Sequence, residues 1–108
     1  MKEAFDEQLY KKIPINNLIL FGIHLVLNKE KECDFEELTK KCFTLFPKTF
    51  SLSKNPNWPD TRKLDRPLRM LRNKKLIIGN PQISFSLTTS GKKIALEIAN
   101  TFAQKKLL

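Results

Sequence analysis

The sequence predicts a single α+β domain that is mostly α. Apolar residues recur at spacings of three and four through most of the chain, whereas one stretch, Ile83-Ser84-Phe85-Ser86-Leu87-Thr88, alternates with period two. The length, 108 residues, is that of one domain. A chain of this size buries roughly 65 % of its unfolded surface, enough to fold alone.

The elements follow in order. Lys2 to Lys12 can form a short N-terminal helix with Phe5 and Leu9 on one face, and Pro14 interrupts it. Residues 1–15 are therefore expected as an N-terminal extension, and 16–108 as the domain proper. Asn16 or Asn17 can cap a helix running to about Asn28. Its residues Leu18, Ile19, Phe21, Ile23, Leu25 and Val26 make it apolar nearly all round, which marks the central core helix. Asp34 followed by Glu37 resembles a capping box, and Phe35, Leu38, Cys42 and Leu45 form the apolar stripe of a second helix that Pro47 ends.

Pro47 to Pro59 is a proline-rich connection whose Phe50, Leu52 and Trp58 predict that it packs on the domain. Asp60 reads as the N-cap of a third helix reaching about Lys75. Leu76 to Ile78 and Ile83 to Thr88 are β-prone, and Gly79-Asn80-Pro81-Gln82 between them is a turn, so together they predict a hairpin with Ile83, Phe85 and Leu87 on one face. Ser90 to about Lys106 closes the chain as an amphipathic helix with Ile94, Ile98 and Phe102 at spacings of four. That stripe can complete the monomer core or form a dimer seam.

Composition excludes several classes. The longest near-continuous apolar run, Leu18 to Leu27, has ten residues, half of what spans a bilayer, so no membrane association is expected. One His and two Cys do not complete a structural zinc site, and no glycine-rich phosphate loop is present. No cofactor, metal or catalytic constellation is expected, and the protein is not read as an enzyme. Two cysteines without an export signal suggest a reducing, cytoplasmic setting. Cys42 reads as a small core hydrophobe, Cys33 as exposed, and His24 as a hydrogen-bonded core residue.

Charge is the informative feature. Twenty Lys and Arg against eleven Asp and Glu give +9, which favours an anionic partner. Residues 1–37, with five basic and eight acidic side chains, carry −3, while residues 38–108, with fifteen and three, carry +12. The densest stretch, Asp60 to Lys75, holds seven positive and two negative groups.

At about 100° per residue, Leu64, Leu68 and Leu71 cluster on one side of the third helix. Arg62, Arg66, Arg69 and Asn73 fall opposite, with Lys63, Met70 and Lys74 on one flank and Asp65 and Arg72 on the other. The leucines need a core, so the arginines must face outward. An α-helix fits the major groove of DNA, where Arg pairs bidentately with guanine and Asn with adenine, while flanking cations meet phosphates. The plain alternative is a solvated basic face, but such faces usually mix signs and this one lacks acidic partners. Pro67 removes the bond to the Lys63 carbonyl, so it is expected to bend the helix or to delay its regular part to about Asp65, which would leave Arg62 in a preceding turn.

The order of elements, the basic third helix and the hairpin resemble the winged helix-turn-helix fold: a three-helix core, a two-stranded wing and a C-terminal helix. Leu68-Arg69-Met70-Leu71-Arg72-Asn73-Lys74-Lys75-Leu76-Ile77 looks like a recognition helix passing into the first wing strand. Leu87-Thr88-Thr89-Ser90-Gly91 looks like the Leu-Thr-x-x-Gly that closes the wing in MarR-like and PadR-like regulators. The likeness covers residues 16–106. It implies major-groove contacts from Arg62, Arg66, Arg69 and Asn73, to which the helix-face reading adds Lys63, Arg72 and Lys74 over the phosphates, a wing contact from the 79–83 turn through Asn80 and Gln82, and a homodimer through the terminal helices. Two departures are plain: the connection before the third helix is longer than a tight helix-turn-helix allows, and no Lys or Arg lies between Lys75 and Lys92. In the long connection Lys48 and Lys54 are candidate phosphate contacts, and Trp58 is expected to close the core, with stacking on a base or sugar as its alternative role. The expected function is sequence-specific binding of double-stranded DNA by a cytoplasmic, nucleoid-associated regulator or anchoring subunit. The rivals are a protein-interaction adaptor of the same fold and a binder of RNA or single strands.

Overall fold

The computed structural model describes residues 4–30, 32–80 and 82–107. Its elements are α1 (Glu7–Tyr10), α2 (Ile15–Lys29), α3 (Phe35–Leu45), α4 (Pro47–Phe50), α5 (Arg62–Asn73), β1 (Ile77–Gly79), β2 (Phe85–Leu87) and α6 (Thr89–Leu107). The fold is α+β and mostly helical, with one two-stranded antiparallel hairpin among the described residues. No helix among those residues is long and apolar enough to cross a membrane.

As its composition demands, α2 is the hub. Leu18, Ile19, Leu20, Phe21, Ile23 and Val26 are buried, and α3, α5, α6 and β2 all pack on it. The helix begins one residue before the expected caps. Pro14 holds the N-cap position without a side-chain bond, and its carbonyl accepts from the N–H groups of Asn17 and Leu18 at 3.0 and 3.1 Å. Asn16 and Asn17 therefore lie inside the first turn, because the fixed φ of proline already presents that carbonyl to the helix.

Residues 4–13 are part of the core, and Lys2 and Glu3 of the expected helix lie outside the described residues. α1 is shorter than the helix expected from Lys2 to Lys12, and Asp6 caps it by accepting from the Gln8 N–H at 3.0 Å. Tyr10 is only 1 % exposed, and its hydroxyl accepts from the Lys48 N–H at 3.0 Å. Phe5 donates its N–H to the Leu45 carbonyl at 2.9 Å, and its ring packs 4.4 Å from Phe102, centroid to centroid.

In α3, Asp34 acts as the expected cap, accepting from the Glu37 N–H at 2.7 Å. Pro47 ends that helix and opens the short α4, where a proline costs nothing because the first-turn N–H groups lack partners anyway. Cys33 is buried, contrary to expectation. Its carbonyl accepts from the Phe85 N–H at 2.8 Å, making an antiparallel bridge that draws the residue inward against the hairpin. Both thiols sit in apolar surroundings: burial pushes Cys33 up to about 12, and pushes Cys42 up as well. His24 is half-buried and lies 3.4 Å from the Asn28 amide nitrogen; burial and the Lys92 charge lower its pKa.

The hairpin pairs Ile77 with Leu87, Ile78 with Ser86 and Gly79 with Phe85. Phe85 points into the core and Leu87 is half-buried, but Ile83 is 70 % exposed, which breaks the expected common face. Ile83 belongs to the turn, where its N–H bonds the Asn80 carbonyl and the strand alternation has not begun. At the start of α6, Thr88 donates its hydroxyl to the Lys75 carbonyl and accepts from the Gly91 N–H, at 2.8 and 3.1 Å. Further along α6, Ala95, Ile98 and Phe102 are buried in the same core as α2. Of the stripe Ile94, Ile98 and Phe102, the last two are buried within one chain and Ile94 is partly buried.

Candidate nucleic-acid interface

α5 divides along its length as its sequence divides. Leu64, Pro67, Leu68 and Leu71 are buried, and Arg62, Arg66, Arg69 and Asn73 are exposed on the other side. Pro67 neither stops the helix nor delays it, since the helix starts at Arg62. Its ring is accommodated on the buried face beside the leucines.

The exposed polar groups fall into two sets. Arg66, Arg69, Asn73 and Lys74 make no hydrogen bond or ion pair with any described residue and stand open to water. Arg62, Lys63 and Arg72 are engaged. Arg62 places Nε 3.3 Å from Asp60 Oδ1, and the same oxygen accepts the Arg62 N–H at 3.1 Å. Asp60 thus serves the helix start in place of Thr61, which holds the N-cap position with no side-chain bond. Lys63 corrects the sequence reading: its Nζ donates to the carbonyls of Thr49 and Ser51 at 3.1 and 3.0 Å. Those carbonyls end α4, so this cation satisfies backbone rather than facing a ligand. Arg72 donates from Nη1 to the Gly79 carbonyl at 3.2 Å, fastening α5 to the hairpin.

At the hairpin turn, Asn80 Oδ1 accepts from the N–H groups of Gln82 and Ile83 at 2.9 and 3.1 Å. Its acceptor therefore builds the turn, and only its amide nitrogen is left for another partner. Gln82 is exposed, as are Lys48 and Lys54 in the connection.

Two open hollows flank the free arginines. Ile15, Arg62, Lys63, Asp65, Arg66, Pro67 and Arg69 line one of about 470 Å³. Asp65, Leu68, Arg69, Arg72 and Phe85 line another of about 380 Å³, between α5 and the hairpin. Arg69 and Asp65 border both, so Arg69 has room on either side to turn its guanidinium. Trp58 also departs from the sequence reading. It is 62 % exposed, because Phe46 and Phe50 already fill the core beneath the connection. No group of three or more His, Cys, Asp or Glu among the described residues is arranged to hold a metal.

These features define an α+β, mostly helical domain presenting a helix with one apolar face and, opposite it, Arg66 and Arg69 without an ion pair to any described residue. No family model, no curated protein and no solved structure matches this chain, so the functional reading rests on the site itself.

Proposed function

We propose that this chain is a winged helix-turn-helix protein that binds double-stranded DNA with sequence specificity through α5. It would act as a transcriptional regulator or DNA-anchoring subunit in the cytoplasm, with the nucleoid. The observation that carries the reading is the pairing of buried Leu64, Leu68 and Leu71 with exposed Arg66, Arg69 and Asn73 that have no carboxylate partner among the described residues. Leaving unpaired guanidinium groups together raises their mutual repulsion, which an anionic ligand relieves. The element order supports the fold part of the reading. The isolated antiparallel bridge between Cys33, in the loop joining α2 to α3, and Phe85 ties that loop to the hairpin.

In this reading α5 enters the major groove. Arg69, with open space on both sides, pairs with the O6 and N7 of a guanine, and Asn73, one turn on, reads an adenine. Arg66, Lys74 and Lys54 meet phosphates and set register without reading sequence. Arg72 and Lys63 position the helix rather than touch the duplex.

The test is duplex binding across a salt series. With three such phosphate contacts, log affinity falls with log salt at a slope of about −2.7. Arg69→Ala weakens a selected site by about 1–3 kcal/mol relative to random sequence. A slope near zero, or a protein that shifts no duplex at moderate salt, would reject the reading in favour of an adaptor.

A further inference from the structure

The connection before α5 is an organised loop that holds an aromatic ring out in water. Trp58 accepts at its carbonyl from the Leu52 N–H at 2.9 Å and donates its own N–H to the Asn55 carbonyl at 3.1 Å. Ser51 and Pro59 form an antiparallel bridge at the loop's base. That base is fastened to α5 twice: by Lys63 Nζ on the carbonyls of Thr49 and Ser51, and by Asp60, which bonds Arg62 and donates its N–H to the Phe50 carbonyl at 2.7 Å. A backbone tied this firmly does not need Trp58 outside, yet the ring is 62 % exposed. Its neighbours Lys54, Asn55 and Asn57 are exposed too, and no carboxylate lies between Leu52 and Pro59. The hairpin offers the reverse. Its turn has no Lys or Arg, and its most exposed apolar residue is Ile83.

We infer that the loop 52–59, rather than the hairpin, is the second element to touch duplex DNA, with Trp58 lying against the sugar–phosphate backbone beside the groove that receives α5. The inference rests on the proposed function. The bases of an intact duplex are stacked face to face, so an indole approaching from outside meets deoxyribose and phosphate. Its apolar body covers the sugar and its N–H donates to a phosphate oxygen. Lys54 takes a neighbouring phosphate. Such contacts add affinity and fix register at the N-terminal end of α5, the end opposite the hairpin, without discriminating sequence.

Trp58 is the only tryptophan, so its emission reports this loop alone. The full chain is titrated with a dye-labelled mixed-sequence duplex while anisotropy follows binding and acrylamide quenching follows the indole. Complex formation is expected to reduce quenching severalfold. Trp58→Ala, whose exposed ring leaves the melting temperature unchanged, is expected to weaken every duplex alike by roughly 5- to 30-fold with the salt slope intact. Lys54→Ala lowers the slope by about one. If the complex forms while quenching of Trp58 is unaltered, or Trp58→Ala binds as the parent does, the loop inference falls and the α5 reading stands. If no duplex is bound, or single strands of equal length outcompete it, both fall.

Discussion

Lys63 and Arg66 lie less than a turn apart on α5 and have opposite roles. Lys63 holds the carbonyls of Thr49 and Ser51, whereas Arg66 faces water without a partner. Removing the lysine charge leaves two half-enclosed carbonyls without their donor, at about 1–3 kcal/mol for such groups. Lys63→Met, which keeps the stem and loses the ammonium, is therefore expected to lower unfolding free energy by about that much and leave the salt slope of duplex binding unchanged. Lys74→Ala, fully on the surface, should do the converse: unchanged urea midpoint, a slope shallower by about one and equal loss across sequences. Parallel denaturation and binding titrations check both. A Lys63→Met protein of parental stability would remove the fastening role assigned to that side chain. The sequence could not distinguish these two cations, since the partners of Lys63 are main-chain oxygens delivered by folding of the connection.

At the scale of elements, two junctions decide whether helix and hairpin meet correctly. α5 ends with Lys75 at φ 60°, in the left-handed region, while the Leu76 N–H bonds the Leu71 carbonyl at 2.9 Å and the Lys75 N–H bonds the Arg72 carbonyl at 3.0 Å. That is the bonding of a Schellman cap, which favours glycine at this position. Lys75→Gly is accordingly expected to stabilise the fold by about 0.5–1 kcal/mol, read as a raised urea midpoint. α6 begins against the end of the same turn. A β-carbon on Gly91 would stand 2.0 Å from the Leu76 carbonyl oxygen, a backbone atom that cannot step aside. Gly91→Ala should cost about 1–3 kcal/mol through forced separation of α6 from the hairpin. Midpoints equal to the parent's in both variants would contradict both arguments. Much of this was legible beforehand: the Leu87-Thr88-Thr89-Ser90-Gly91 stretch marked the junction, and the leucine spacing marked the buried face of α5. The exposure of Ile83 and Trp58 was not. Period-two alternation carries no information on where a turn gives way to a strand, and side-chain size does not reveal that Phe46 and Phe50 occupy the space a tryptophan would need.

For the whole molecule, the decisive question is what the α6 stripe covers. Sequence alone allowed a dimer seam or a monomer core, because an amphipathic helix specifies its apolar face and not the owner of the opposing one. The N-terminal segment settles how that face is used within a single chain. The Phe102 ring lies 4.4 Å from Phe5, 5.4 Å from Phe21 and 5.9 Å from Phe46, centroid to centroid, so the first and last segments share one aromatic cluster with α2. Deleting a ring from such a cluster removes its transfer free energy and leaves a cavity, about 3–5 kcal/mol together, a large part of a small domain's stability. Phe102→Ala is expected to lower the melting temperature by roughly 15–25 °C. Its folded fraction should keep the parental mass in light scattering, since the ring sits inside the monomer. A variant that stays folded and loses half its mass would instead place the stripe between two copies and return the terminal helices to the interface that the winged-helix likeness implied.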